Sequence, residues 1–151
     1  MAKRIGYGTT LALSTSNVAL SASTTATYTT IGFVKSIEGP QVDQSDVEAT
    51  TLDSTGSYKE FVLGLSDPGS LSFDLVWDPD STSVNHAYIT NQFDNRNELN
   101  IRVTPAGTTS SIYAKGRVKS FSGTFPVEDV IGASVALRLS GPVRWPTTAL
   151  V

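Results

Sequence analysis

LSFDLVW, residues 71–77, alternates without a break, with Leu71, Phe73, Leu75 and Trp77 on one side and Ser72, Asp74 and Val76 on the other. A period of two is the spacing of a strand that lays one face on a core, so this segment commits the chain to a sheet with a dry side. Leu99, Ile101 and Val103 repeat the pattern against Asn100 and Arg102, as do Val135, Leu137 and Leu139 against Ser134, Ala136 and Arg138. Ile31, Phe33 and Ile37 share a face of an extended segment from Tyr28, which Lys35 interrupts. Gly39-Pro40, Asp67-Pro68-Gly69 and Thr104-Pro105-Ala106-Gly107 are the turns between such segments.

One stretch departs from this period. In DPDSTSVNHAYITNQFDN, residues 78–95, Val84, Tyr88 and Phe93 lie near helical spacing, Asp80 or Ser81 can cap the start and Asn95 the end. Many short strands, turns between them and a single helix predict a mainly β fold, a β-sandwich or small barrel with one flanking α-helix that plugs the open side of a sheet. With 151 residues and no cysteine, the chain makes one such domain and must hold it by packing alone. No apolar run approaches the ~20 residues that span a bilayer, and the start MAKRIGYGTT lacks the apolar stretch of a secretion signal, so residence in the cytosol and no membrane partner are expected. The Ser-, Thr- and Ala-rich residues 1–27 read as an arm that orders only when something packs on it, leaving 28–151 as the β-domain.

Motifs for catalysis are wanting. The single histidine, His86, has Thr82, Ser83, Ile89 and Thr90 as its helical neighbours, which offer no ligand set, so it reads as a structural or merely exposed residue. Asp43, Asp46 and Glu48, and again Asp74, Asp78 and Asp80, could supply an acid and base pair, but their positions on strand faces and at a helix start read as solvated carboxylates. Asp78-Pro79-Asp80-Ser81 lacks the Gly and the distal Glu of a calcium loop, and Gly6 and Gly8 lack the strand-to-helix context of a phosphate loop. Neither an enzyme nor a cofactor is expected. Lys115, Arg117 and Lys119 share a strand face with Tyr113 and could touch phosphates, although a solvated face or an intersubunit salt-bridge face accounts for them more simply. A net charge of −3 also weighs against a nucleic-acid grip, which needs clustered cations to displace counterions.

Between the strand-like segments Val42–Leu52 and Glu60–Leu65, the latter with Phe61 and Leu63 on one face, lies LDSTGSYKEFVLG. The loop at its centre, Asp53, Ser54, Thr55, Gly56, Ser57 and Tyr58, has one aromatic side chain and little else to hold it in place, so it gains order only on a partner. An idle loop, a ligand-gripping loop and an arm to another subunit remain open on these residues alone.

The order of segments resembles the major tail tube protein of long, non-contractile-tailed, lambda-like bacteriophages. GYGTTLAL, FVKSIEGPQVDQSDVEATTLD, YKEFVLGLSDPGSLSFDLVWDP, NQFDN, ELNIRVTPAG and IYAKGRVKSFSGTFPVEDVIGASVALRLSGPVR carry the likeness over nearly the whole chain. The resemblance implies a virion structural protein of the tail, assembled in the host cytoplasm. Its subunits join edge to edge in hexameric rings that stack into a hollow tube for DNA ejection, with residues 52–60 holding the inter-subunit loop. It also implies a tape measure protein and tail terminator and tail-tip proteins as partners, and double-stranded DNA as non-specific cargo. Asp43, Asp46 and Glu48 are then candidates for an acidic lumen face that repels phosphate; Lys replacing Asp46 and Glu48 should slow DNA passage while assembly continues. A secretion-system tube protein is the nearest alternative, and a small adhesin-like or carbohydrate-binding β-domain the alternative of another class.

Overall fold

The computed structural model describes residues 6–15, 27–53 and 55–146. Its strands are β1 (Thr10–Ser14), β2 (Thr29–Ile31), β3 (Val34–Glu38), β4 (Asp43–Glu48), β5 (Phe61–Asp67), β6 (Ser70–Val76), β7 (Leu99–Thr104), β8 (Ile112–Thr124) and β9 (Gly132–Leu139), with α1 (His86–Asn95) between β6 and β7. Seven strands form one antiparallel sheet in the order β2-β1-β7-β8-β9-β6-β3, while, among the described residues, β4 and β5 pair only with each other. Mainly β with one flanking helix is the architecture the alternation predicts.

The two outermost strands of the large sheet, β2 and β3, are neighbours in sequence, with only Gly32 and Phe33 between them. Consecutive Cα atoms are about 3.8 Å apart, so the sheet must curl until both of its ends reach one corner. No ladder closes it; the chain turns the corner instead. Phe33 adopts a left-handed φ of 59° there, and its carbonyl accepts from Val76 N–H at 2.9 Å while Gly32 N–H donates to Val84 at 3.0 Å. A Cβ on Gly32 would press on Val84 at 2.9 Å, which is why the smallest residue stands where the turn before α1 lies on the corner.

Inside the curl, Leu11, Leu13, Ile31, Leu71, Phe73, Leu75, Leu99, Ile101, Val103, Val135, Leu137 and Leu139 form one buried cluster, and α1 adds Ile89. Each fully buried side chain of this kind stabilises by roughly 1.5–3 kcal/mol relative to exposure, so the body stands on these residues. In β6 and β9 the alternation is the buried pattern itself, whereas in β7 Asn100 is buried as well as Leu99, Ile101 and Val103. Trp77 packs at the rim rather than inside, edge-on to Phe121 at 5.6 Å and near Phe125 at 5.8 Å.

Three expectations change. Phe33 is exposed, and Val34 and Ile37 pack on the core in its place; the register with β6 slips between Val34 and Ser36, so Lys35 is a bulged residue that shifts the inward phase by one. Thr10–Ser14, inside the stretch read as an arm, is a sheet strand between β2 and β7 with Leu11 and Leu13 fully buried; its five residues are too few for the alternation to stand out. The rest of that stretch, except for residues 6–9, 15 and 27, lies outside the described residues. Finally, α1 starts at His86 rather than near Asp80 and buries His86, Ile89 and Gln92; of the expected stripe, Val84 is buried just ahead of the helix and Tyr88 packs partly on the core, while Phe93 is exposed. Asp78 Oδ1 accepts from the N–H groups of Asp80 and Ser81 at 3.3 and 3.2 Å, an Asx-type turn, and Ser81 Oγ lies 2.9 Å from Ser83 Oγ, so the expected caps sit in a turn ahead of the helix.

His86 is the pin of this corner. The backbone N–H of Asp78 donates to its Nδ1 at 3.0 Å, and Nε2 lies 2.7 Å from the carbonyl of Gly32. An N–H can only donate, so Nδ1 is the acceptor and Nε2 carries the hydrogen that Gly32 receives. One buried ring thereby ties the end of β6, the start of α1 and the β2–β3 corner.

Candidate functional site

β4 and β5 leave the body as a two-stranded hairpin. Every residue of β4 is exposed, and every residue of β5 except Gly64. Among them are Phe61 at 59%, Leu63 at 67% and Leu65 at 91% exposure, with Val47 and Val62 also open to solvent. A lone hairpin is marginal in water, and exposed apolar residues gathered on one element mark a surface that another molecule covers. The register explains the layout: Glu48 lies across from Phe61, Val47 from Val62, Asp46 from Leu63, Gln44 from Ser66 and Asp43 from Asp67. Between the Asp46–Leu63 and Gln44–Ser66 pairs Ser45 stands opposite Gly64 and Leu65, where the register slips, and its Oγ donates to the Leu65 carbonyl at 3.1 Å, closing the irregularity.

At the distal end, Ala49 N–H donates to Glu60 at 2.8 Å, and Glu60 N–H to Thr50 Oγ1 at 2.9 Å. The loop beyond makes a 3-10 turn at Thr55–Ser57 with positive φ at Gly56 and Ser57. A Cβ on Gly56 would touch the Tyr58 ring at 3.2 Å, so the single aromatic folds back over the glycine. Asp53, Gly56, Ser57 and Tyr58 are exposed. Ser54 lies outside the described residues.

The hairpin is fixed at its base. Gly39 and Gly69 both have positive φ, and a Cβ on Gly69 would collide with the Gln41 carbonyl, so the two connections to the body can run side by side only with glycine there. Asp67 accepts from Gly69 N–H at 2.8 Å and from Arg138 Nη2 at 3.1 and 3.2 Å, which couples the last residue of β5 to β9. The Gly69 N–H, and after it the Arg138 guanidinium, hold the Asp67 carboxyl below the usual carboxylate range. A depressed carboxylate stabilises the fold above its unfolded pKa and loses that contribution as the pH falls through the folded value. The side-chain carboxyl signal of Asp67 in an NMR titration should therefore have its midpoint below the ordinary ~3.9 and move up in Arg138→Gln. A midpoint at or above the ordinary value in the native chain would contradict this anchoring.

The acidic trio does not share a face. Asp46 and Glu48 lie on one side of β4 with Phe61 and Leu63 as cross-strand partners, whereas Asp43 belongs with Ser45 and Val47 on the other. The basic trio is also divided. Lys115 Nζ is 3.7 Å from Glu98; Arg117 is exposed, and Lys119 is the extra residue where the register with β9 slips between Val118 and Ser120. Of the second carboxylate group, Asp74 accepts from Ser134 at 2.7 Å on the outer face of the sheet and Asp78 serves the turn described above. What the sequence reading missed is the apolar side of the hairpin. The alternation in FVLGL puts Phe61 and Leu63 on one face, yet Val62 between them makes the other face apolar too, which is the available sign that both are to be covered.

Residues 9–110 match the family described as phage tail tube, TTP, lambda-like. No curated protein sequence matches significantly. The fold is similar to a chain in the tail of an empty gene transfer agent particle, refined with helical and C6 symmetry, at 15% identity, covering 96% of this chain and 100% of that one with a TM-score of 0.68. It is similar to the SPP1 tail tube at 10% identity, covering 95% and 80% with a TM-score of 0.64. A chain of the sheath/tube terminator of an extracellular contractile injection system is similar at 13% identity, covering 97% and 99% with a TM-score of 0.65.

Proposed function

Because the chain belongs to the lambda-like phage tail tube family, whose members are structural proteins of the phage tail, we propose that it polymerises through its hairpin into stacked hexameric rings around a channel for DNA. The observation that carries this reading is a well-packed body bearing a hairpin whose apolar side chains are exposed, with none of the described residues covering them. A contact between hairpin and body on different copies is heterologous; it closes if the rotation closes, and otherwise repeats without limit. Rings that close laterally and repeat axially make a tube, and the C6 symmetry of the similar gene transfer agent tail supports six as the ring number.

In this reading the chain acts without catalysis or cofactor, DNA passes as non-specific cargo, and a tape measure protein and tail terminator and tip proteins set the length and the ends. Thr10–Ser14, which lies within the sheet, belongs to the tube domain together with the described residues from 28 to 146, and 53–58 form the distal part of its inter-subunit arm. Assembly takes place in the host cytoplasm and the product is the virion tail. The contractile injection systems among the similar structures share the fold, but the family match favours the phage tail.

Negative-stain microscopy of the purified chain across a concentration series tests this. Hollow tubes or six-fold rings are expected to appear above a threshold concentration. A protein that stays monomeric throughout and is retained on immobilised glycans would favour the adhesin-like alternative and overturn the tube.

A further inference from the structure

Charge is unevenly divided between hairpin and body. Segment 43–67 carries Asp43, Asp46, Glu48, Asp53, Glu60 and Asp67 against Lys59 alone, or −5, so that with −3 for the whole chain the remainder carries +2. On one face of the hairpin Asp46 and Glu48 stand beside Leu63 and Phe61. A lining for DNA has no use for exposed Phe and Leu, whereas a mixed acidic and apolar face suits a mixed basic and apolar groove.

The body offers such a groove. β7 begins at Leu99 opposite Gly116, so β8 runs on from Arg117 to Thr124 with no β7 residue beside it, and the C-terminal end of α1 turns into the gap. The groove there, of about 410 Å³, is lined by Phe93, Asp94, Arg96, Arg117 and Val118 among others. Phe93 is 39% exposed and Val118 only partly buried. Arg96 and Arg117 are exposed, as is Lys119 just beyond on the same strand; among the described residues none of the three has an ion-pair partner, unlike Lys115 with Glu98.

Resting on the tube-assembly reading above, we infer that this groove at the α1–β8 junction receives the hairpin of a second copy, Asp46 and Glu48 meeting Arg96, Arg117 and Lys119 while Phe61 and Leu63 cover Phe93 and Val118. The apolar contacts supply affinity and the charges fix which face and which register dock. Asp46 and Glu48 are then interface residues, and their reversal weakens assembly rather than slowing DNA.

Two double variants test it. In Asp46→Lys with Glu48→Lys the arm matches its own body in sign, and so it does in Arg117→Glu with Lys119→Glu. All four positions are exposed, so both variants should melt close to the native chain. Each alone is expected to raise the threshold concentration for tubes on the order of tenfold or more, and a 1:1 mixture to restore tubes, because each arm then finds a body of opposite sign. Asp46→Asn with Glu48→Gln should assemble weakly and with reduced salt dependence. Tubes from either reversed variant alone at the native threshold, or a mixture that stays dispersed, would overturn the docking while leaving the tube intact as long as the native chain forms tubes. A native chain that never assembles would overturn both.

Discussion

Replacing Phe61 and Leu63 together by serine abolishes tube formation and leaves the body folded. Both side chains point into solvent from the hairpin, and surface substitutions of this kind change stability by no more than about 0.5 kcal/mol. The thermal midpoint should therefore stay within a few degrees of the native value. In the polymer the same two side chains become buried anchors, each contributing roughly 2 kcal/mol, and about 4 kcal/mol raises a dissociation constant nearly a thousandfold. Sedimentation velocity over a concentration series reads the threshold directly, with calorimetry on the same samples reading the fold. A double variant that polymerises at the native threshold would show that the hairpin's apolar face is not the adhesive surface. One that melts far below the native chain would show that the hairpin belongs to the core.

His86→Ala acts on the other half of the molecule. It removes a fully buried ring and strands two partners, the Asp78 N–H and the Gly32 carbonyl. Each unsatisfied buried group costs about 1–3 kcal/mol, so a loss of about 2–6 kcal/mol in urea denaturation is expected, a large share of the 5–15 kcal/mol of an ordinary domain. Phe33→Ser, next to the same ring at 6.3 Å between centroids but exposed, should cost far less. His86→Phe separates the causes, since it keeps the volume and loses both hydrogen bonds. Should His86→Ala unfold at nearly the native urea concentration, the β2–β3 corner is held by something other than this ring.

The parts of the fold that could be read from the chain are those in which one physical demand acts alone. β6 and β9 each have one buried face, so Leu71, Phe73 and Leu75, or Val135, Leu137 and Leu139, alternate as burial requires. Where two demands compete, the pattern is lost. Lys35 takes up a bulge that moves the inward position from Phe33 to Val34, and a one-residue slip reverses every face. Asn85 precedes α1 but adopts a left-handed backbone, and its side chain donates to Thr30 instead of capping the helix. The residues that could have signalled the helix start serve the turn and the sheet.

The arm shows the same limit from the other direction. Its loop stood out because Ser, Thr and Gly cannot hold themselves in place, but the adhesive residues did not, because Phe61, Val62 and Leu63 look alike whether a strand is covered by its own chain or by another. Only the three-dimensional fact that, among the described residues, this strand pairs with β4 alone separates the two cases. Likewise Lys115, Arg117 and Lys119 were visible as basic residues on a strand, while the engagement of Lys115 by Glu98 and the displacement of Lys119 by a bulge depend on neighbours distant in sequence.

A cryo-EM map of the assembled particle, resolved well enough to place side chains, bears most directly on the claim that the hairpin is what joins copies together. Density for Phe61 and Leu63 packed against an adjacent protomer is the predicted result. Hairpins that extend into solvent with those two side chains uncovered, in a tube that is nonetheless intact, would contradict it.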